Sequence, residues 1–77
     1  MIDLSEREAR LLRYFVEHQG QVVRREELLK AVWGYNFLPF SRTVDVHVSW
    51  LRQKMEDDPR QPELIQTVHG QGYRFAD

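Results

Sequence analysis

Three stretches of the chain repeat apolar residues at helical spacing, and a fourth, from residue 64 onward, breaks into short runs suited to strands. In the first stretch Leu11, Leu12, Phe15 and Val16 form one stripe. Ser5-Glu6-Arg7-Glu8 precedes it with the spacing of a capping box, in which the Ser5 hydroxyl accepts from the Glu8 amide and the Glu8 carboxylate returns to the Ser5 amide. A helix is predicted over residues 6–18, with Gly20 placed to end it in a left-handed conformation. Next, Val22-Val23 leads into Arg24-Arg25-Glu26-Glu27, and Leu28, Leu29, Val32 and Trp33 repeat up to Gly34, which predicts a second helix over 25–33. Its cap position falls on Arg24, which offers no oxygen and forgoes about 1 kcal/mol relative to Ser or Thr. Glu26 and Glu27 offset part of that through the helix dipole.

Residues 34–40 cannot continue the helix, because Pro39 lacks an amide and restricts Leu38 before it; they read as a loop carrying Tyr35, Phe37 and Phe40. Ser41 or Thr43 then caps a third helix, predicted over 42–56, whose Val44, Val48, Leu51 and Met55 fall within roughly 60 degrees on a helical wheel. Pro59 and Pro62 bracket a polar turn. Leu64-Ile65-Gln66-Thr67-Val68 reads as a strand, His69-Gly70-Gln71-Gly72 as a glycine-supported turn and Tyr73-Arg74-Phe75 as the returning strand, a hairpin over 64–76. Three helices followed by one hairpin is the element order of a winged helix, an α+β fold that occupies all 77 residues as one domain.

Composition narrows the functions such a domain can have. The absence of cysteine excludes disulfides and thiolate metal sites and fits a reducing cytoplasm. No run approaches the roughly 18 apolar residues of a membrane span, and Met1-Ile2-Asp3-Leu4 lacks a basic-then-apolar signal pattern, so the chain reads as soluble and cytoplasmic. His18, His47 and His69 have no partner at metal-ligand spacing, and Gly70-Gln71-Gly72 is too short for a phosphate loop. Glu56-Asp57-Asp58 reads as a solvated helix end. Catalysis, a metal and a cofactor are therefore not expected. The formal net charge of −1 is poor for a duplex binder, but residues 42–55 hold Arg42, Arg52 and Lys54 against Asp45 alone, a net of +2 that leaves −3 for the rest. A modest basic stripe on an acidic domain suits binding that is weak alone and gains from dimerisation or tethering.

Opposite the apolar stripe of the third helix lie Val46, Ser49, Trp50 and Gln53, with Arg42 near its start. One reading packs Trp50 beneath the hairpin or a neighbouring loop. The other lays this face in a major groove, with Val46 or Trp50 against thymine methyls and sugars and Ser49 and Gln53 at base edges. Arg42, His47, Arg52 and Lys54 would then flank phosphates. His69 is either a solvated turn residue or a tip that enters the adjacent minor groove, where negative potential favours a cation.

The residues Arg42-Thr43-Val44-Asp45-Val46-His47-Val48, Leu51-Arg52 and Thr67-Val68-His69-Gly70-Gln71-Gly72-Tyr73-Arg74-Phe75 closely resemble the C-terminal domain of OmpR/PhoB-type response regulators. Glu26, Leu28, Leu29, Val32, Trp33 and Gly34 match the second helix of that family, so the resemblance covers nearly the whole chain. It implies a bacterial transcription regulator of a two-component system, whose third helix enters the major groove of double-stranded DNA, usually in head-to-tail pairs on direct repeats. By position, Val46 and Trp50 face bases, while Trp33, Arg42, Thr43, His47, Arg52 and Tyr73 hold phosphates. The loop 34–40 matches the transactivation loop that touches RNA polymerase, which assigns Tyr35, Asn36, Phe37 and Leu38 to that partner. Ser49-Trp50 stands where many members have one or two arginines, and His69 replaces a frequent wing arginine.

Ile2-Asp3-Leu4 resembles the end of the last strand of the family's N-terminal platform sheet, which is otherwise missing or vestigial here, as is the receiver domain. A fragment or a short regulator is expected, with apolar surface on the first helix, a hairpin short of neighbours and some tendency to self-associate. The alternative function is a protein-interaction module on the same fold, binding RNA polymerase or a sister subunit with DNA contact secondary.

Overall fold

Ser5 starts helix α1 (Glu6–Glu17) with both halves of the capping box: the Glu8 amide donates to Ser5 Oγ at 3.2 Å, and the Ser5 amide donates to Glu8 Oε1 at 2.9 Å. The structure, a computed structural model, describes residues 3–34 and 42–76. The polymerase-facing assignments at Tyr35, Asn36, Phe37 and Leu38, and the capping assignment at Ser41, lie outside the described residues. On α1 the buried stripe is narrower than the apolar pattern suggests. Leu11 and Phe15 are fully buried, Leu12 is half-buried, and Val16 is 51% exposed.

A two-residue strand, β1 (Val22–Val23), leads into α2 (Arg25–Leu28), where Arg24 at the cap makes no side-chain hydrogen bond. The helix then widens into a π-helical turn over Leu29–Trp33, and the Gly34 amide reaches back five residues to the Leu29 carbonyl at 2.8 Å. Gly34 ends it at φ +96, a backbone state that a side chain resists. Helix α3 (Thr43–Met55) is one residue shorter at each end than predicted. Thr43 is its first helical residue, not its cap, and Arg42 holds the cap position without a side-chain bond.

Strands β2 (Ile65–Val68) and β3 (Gly72–Phe75) form the hairpin, with Ile65 opposite Phe75 and Val68 opposite Gly72. The hairpin is not short of neighbours. β1 pairs antiparallel with the other edge of β3, Val22 opposite Arg74 and Val23 opposite Tyr73, giving the order β1-β3-β2. A Cβ on Gly72 would lie 2.2 Å from the Val23 carbonyl oxygen, so only glycine allows β1 and β3 to approach this closely.

The core lies between the helices and this sheet. Leu11 and Phe15 of α1 and Val44, Val48 and Leu51 of α3 meet Leu28 and Val32 from the second helix and Ile65 and Tyr73 from the sheet. Phe15 meets the Tyr73 ring edge-on, centroids 6.4 Å apart, and stacks on Phe75 at 6.3 Å. Glu56, expected at a solvated helix end, is a half-buried clamp. Its carboxylate accepts from the amides of Glu63 at 2.9 Å, Leu64 at 3.0 Å and Ile65 at 2.8 Å, which fixes the entry of β2 against the end of α3. Burial alone would raise the Glu56 carboxyl, but these amides and the Arg52 charge outweigh it and hold it below its ordinary 4.5.

Candidate nucleic-acid interface

The period of α3 divides its side chains into a buried stripe, two flanks and an outer face. The first flank faces the sheet. Asp45 accepts from Arg25 Nε at 2.7 Å and from the Tyr73 hydroxyl, joining the start of α2, α3 and β3 at one carboxylate. Burial would raise Asp45, but Arg25, Tyr73 and the charge of Arg42 together hold it below 3.8. Burial and the Asp45 carboxylate push the Tyr73 hydroxyl up to about 12. The guanidinium groups of Arg25 and Arg52 both pack over the Tyr73 ring, each 5.5 Å from its centroid. Arg52 also donates through Nε and Nη2 to the Ile65 carbonyl at 3.0 and 2.8 Å and through Nη2 to Thr67 Oγ1 at 2.8 Å, which fastens α3 to β2.

The second flank faces α1 and the π-helical turn. His47 Nδ1 lies 2.7 Å from the Thr43 carbonyl oxygen, and because a carbonyl only accepts, Nδ1 carries the proton and Nε2 is the nitrogen left for a ligand. The His47 ring sits 5.0 Å from Trp33, edge-on, and 4.8 Å from Trp50. Arg7 covers Trp33 at 5.2 Å. Lys54, expected beside phosphates, is held on this flank by an ion pair with Glu8 at 2.7 Å and by the Asp3 carbonyl at 2.9 Å. Glu8 is 2% exposed. Burial would raise its carboxyl, but Lys54 and the Ser5 amide and hydroxyl hold it below 4.5.

The outer face is left to Arg42, Val46, Ser49, Trp50 and Gln53, all exposed. Arg42, Asp45, Val46, Ser49 and Trp50 line one shallow depression there. Trp50 therefore does not pack beneath the hairpin; 44% of it is exposed on the flank away from the sheet. At the far end of β2, His69 is exposed in the hairpin turn, and Gly70 and Gln71 share a second depression with Arg24, Arg25 and Glu26. Sequence reasoning missed Arg24 and Arg25 as part of this surface. The signal was present in two adjacent arginines at a helix start, but their neighbours are brought there by the hairpin 45 residues later. An exposed helix face between two braced flanks, beside a hairpin tip and a pair of arginines, is a surface shaped to enter a groove.

The family model described as "Transcriptional regulatory protein, C terminal" matches residues 1–75. The chain belongs to that family. A probable transcriptional regulatory protein of Picosynechococcus sp. (strain PCC 7002) is 50% identical over 75 residues, which are 97% of this chain and 30% of that protein. The chain thus spans about a third of the length of that relative. The Klebsiella pneumoniae RstA DNA-binding domain, solved in complex with RstA box, superposes with a TM-score of 0.88 at 37% identity, covering 97% of this chain and 74% of that one. The Thermotoga maritima response regulator DrrB, an OmpR/PhoB homologue, gives a TM-score of 0.88 at 38% identity over 99% of this chain and 34% of its own. As a transcriptional regulatory C-terminal domain, the chain has the winged-helix fold, three helices with a small antiparallel sheet. Among the described residues no helix is long and apolar enough to cross a membrane.

Proposed function

We propose that the chain binds double-stranded DNA sequence-specifically as the effector part of a two-component transcription regulator, with α3 in the major groove and the hairpin turn over the adjacent minor groove. The observation that carries this reading is the division of labour on α3. Its flanks are bolted to the sheet through Asp45 and Arg52 and to α1 through Lys54, while Val46, Ser49, Trp50 and Gln53 have no part in the core. RstA, with the same fold, was solved with a DNA element bound.

In this reading Val46, Ser49, Trp50 and Gln53 meet base edges, and Arg42, Thr43, His47 and Arg52 meet phosphates, joined by Arg25. Trp33 and Tyr73 act chiefly through the side chains they hold, His47 for the one and the arginine pair for the other. Lys54 serves the fold through Glu8, and His69 approaches the minor groove. Pairing of two copies on a direct repeat and contact of residues 35–38 with RNA polymerase extend the reading and rest on the family resemblance, as does a cytoplasmic location.

Outward Trp50 and Val46, together with a net charge of −1, favour a second reading in which the same face binds a protein such as a polymerase subunit. Fluorescence anisotropy of a randomised duplex pool titrated with this chain at about 50 and 200 mM salt, with sequencing of the bound fraction, separates the two. DNA binding is expected to weaken steeply with salt and to enrich a direct repeat. Folded chain that binds no duplex at the lower salt overturns the proposal in favour of the protein interface.

A further inference from the structure

Between residues 46 and 53, α3 turns four exposed side chains outward, Val46, Ser49, Trp50 and Gln53, and none of them carries a charge. The commonest specific contact to guanine is a fork from Arg or Lys to O6 and N7. Arg52 and Lys54, the cations flanking Gln53, are both engaged, Arg52 through Nε and Nη2 by the Ile65 carbonyl and Thr67 and Lys54 by Glu8 and the Asp3 carbonyl. Arg42 stands at the N-terminal end of the face, a turn before Val46 and away from its middle. The strip offers apolar surface and an amide instead. Val46 and Trp50, 42% and 44% exposed, lie one helical turn apart and form a continuous apolar step. The indole is braced from behind, because Trp50 rests on His47, His47 on Trp33, and Trp33 under Arg7. A ring held in this way presents a fixed surface and loses little freedom on contact.

Thymine's C5-methyl is the one methyl group that the major groove displays, and the donor-acceptor pair of a glutamine amide complements N6 and N7 of adenine. Gln53 Nε2 donates to Ser49 Oγ at 3.4 Å, which ties the amide to the same strip. We infer that Val46, Trp50 and Gln53 make this chain a reader of A·T pairs beneath the middle of α3, with thymine methyls against the Val46–Trp50 step and adenine against Gln53. The inference rests on the DNA-binding reading and specifies what that site selects.

The test uses duplexes enriched from the randomised pool, resynthesised with deoxyuridine for thymidine at each central position of a half-site. Deoxyuridine removes the methyl and leaves the Watson–Crick pair intact. A·T pairs are expected at those positions, each uridine weakening binding about fourfold, and Trp50→Ala chain of unchanged circular dichroism is expected to bind thymidine and uridine duplexes alike. The uridine arm alters only the DNA, so it stands whether or not the variant folds. Salt-sensitive binding that enriches G·C pairs there, or is indifferent to uridine, overturns the A·T readout while leaving DNA binding intact. Absence of any salt-sensitive binding by folded chain overturns both.

Discussion

Gly72 sits where β1 and β3 come closest, and its missing side chain sets the spacing of the sheet. Gly72→Ala would drive a Cβ to 2.2 Å from the Val23 carbonyl oxygen and 2.9 Å from the Arg24 Cα, both backbone atoms that cannot swing aside. A loss of about 2 kcal/mol is expected from this overpacking, measured as a lower urea midpoint; a midpoint unchanged from the parent chain would show that β1 does not hold this position in solution. Gly70 makes the contrasting case, since its Cβ would meet nothing within 4 Å and alanine there would cost only the strain of φ +76, with no clash against a neighbouring strand. The glycine-supported turn was legible in the sequence, but which glycine stands against another strand was not, because that depends on a residue some fifty positions earlier. Asp45 shows the same limit. Its charge was visible on α3, whereas its partners Arg25 and Tyr73 come from elements before and after it.

The three helices were readable because each repeats apolar residues over several turns, and α3 differs from its predicted bounds by a single residue at either end. The π-helical turn was not readable, since one extra residue per turn leaves Leu28, Leu29, Val32 and Trp33 compatible with ordinary helical spacing. Strand β1 escaped for a different reason: two residues carry no period, and only pairing with β3 makes them a strand. That pairing has a measurable consequence. β3 bonds to neighbours on both sides while β2 has one open edge, so in hydrogen exchange the β3 amides should be the slowest of the sheet and the outward amides of β2 much faster. Equal rates along both strands would mean that β1 contributes no ladder in solution.

Across the fold three carboxylates, Glu8, Asp45 and Glu56, tie elements together, and each titrates below its ordinary value. A group whose folded value is depressed stabilises the fold above its unfolded value and loses that contribution as pH falls through the folded one. Denaturation midpoints should therefore stay level from about pH 7 down to the ordinary values of 4.5 for the glutamates and 3.8 for Asp45, then fall. Glu56→Gln should lower the midpoint at neutral pH and flatten the acid slope; a variant as acid-sensitive as the parent would show that Glu56 takes no part. The acid behaviour links the sheet, through Asp45 and Glu56, to the helix proposed to read DNA. The order β1-β3-β2 carries one more implication, for synthesis. The strand that completes the sheet from its centre is the last described element to leave the ribosome, and the Phe75 carbonyl accepts from the Gly20 amide at 2.8 Å. A nascent chain stalled before residue 72 would lack the central strand beneath its helices, so the face proposed to read DNA would be braced only once β3 joins the sheet.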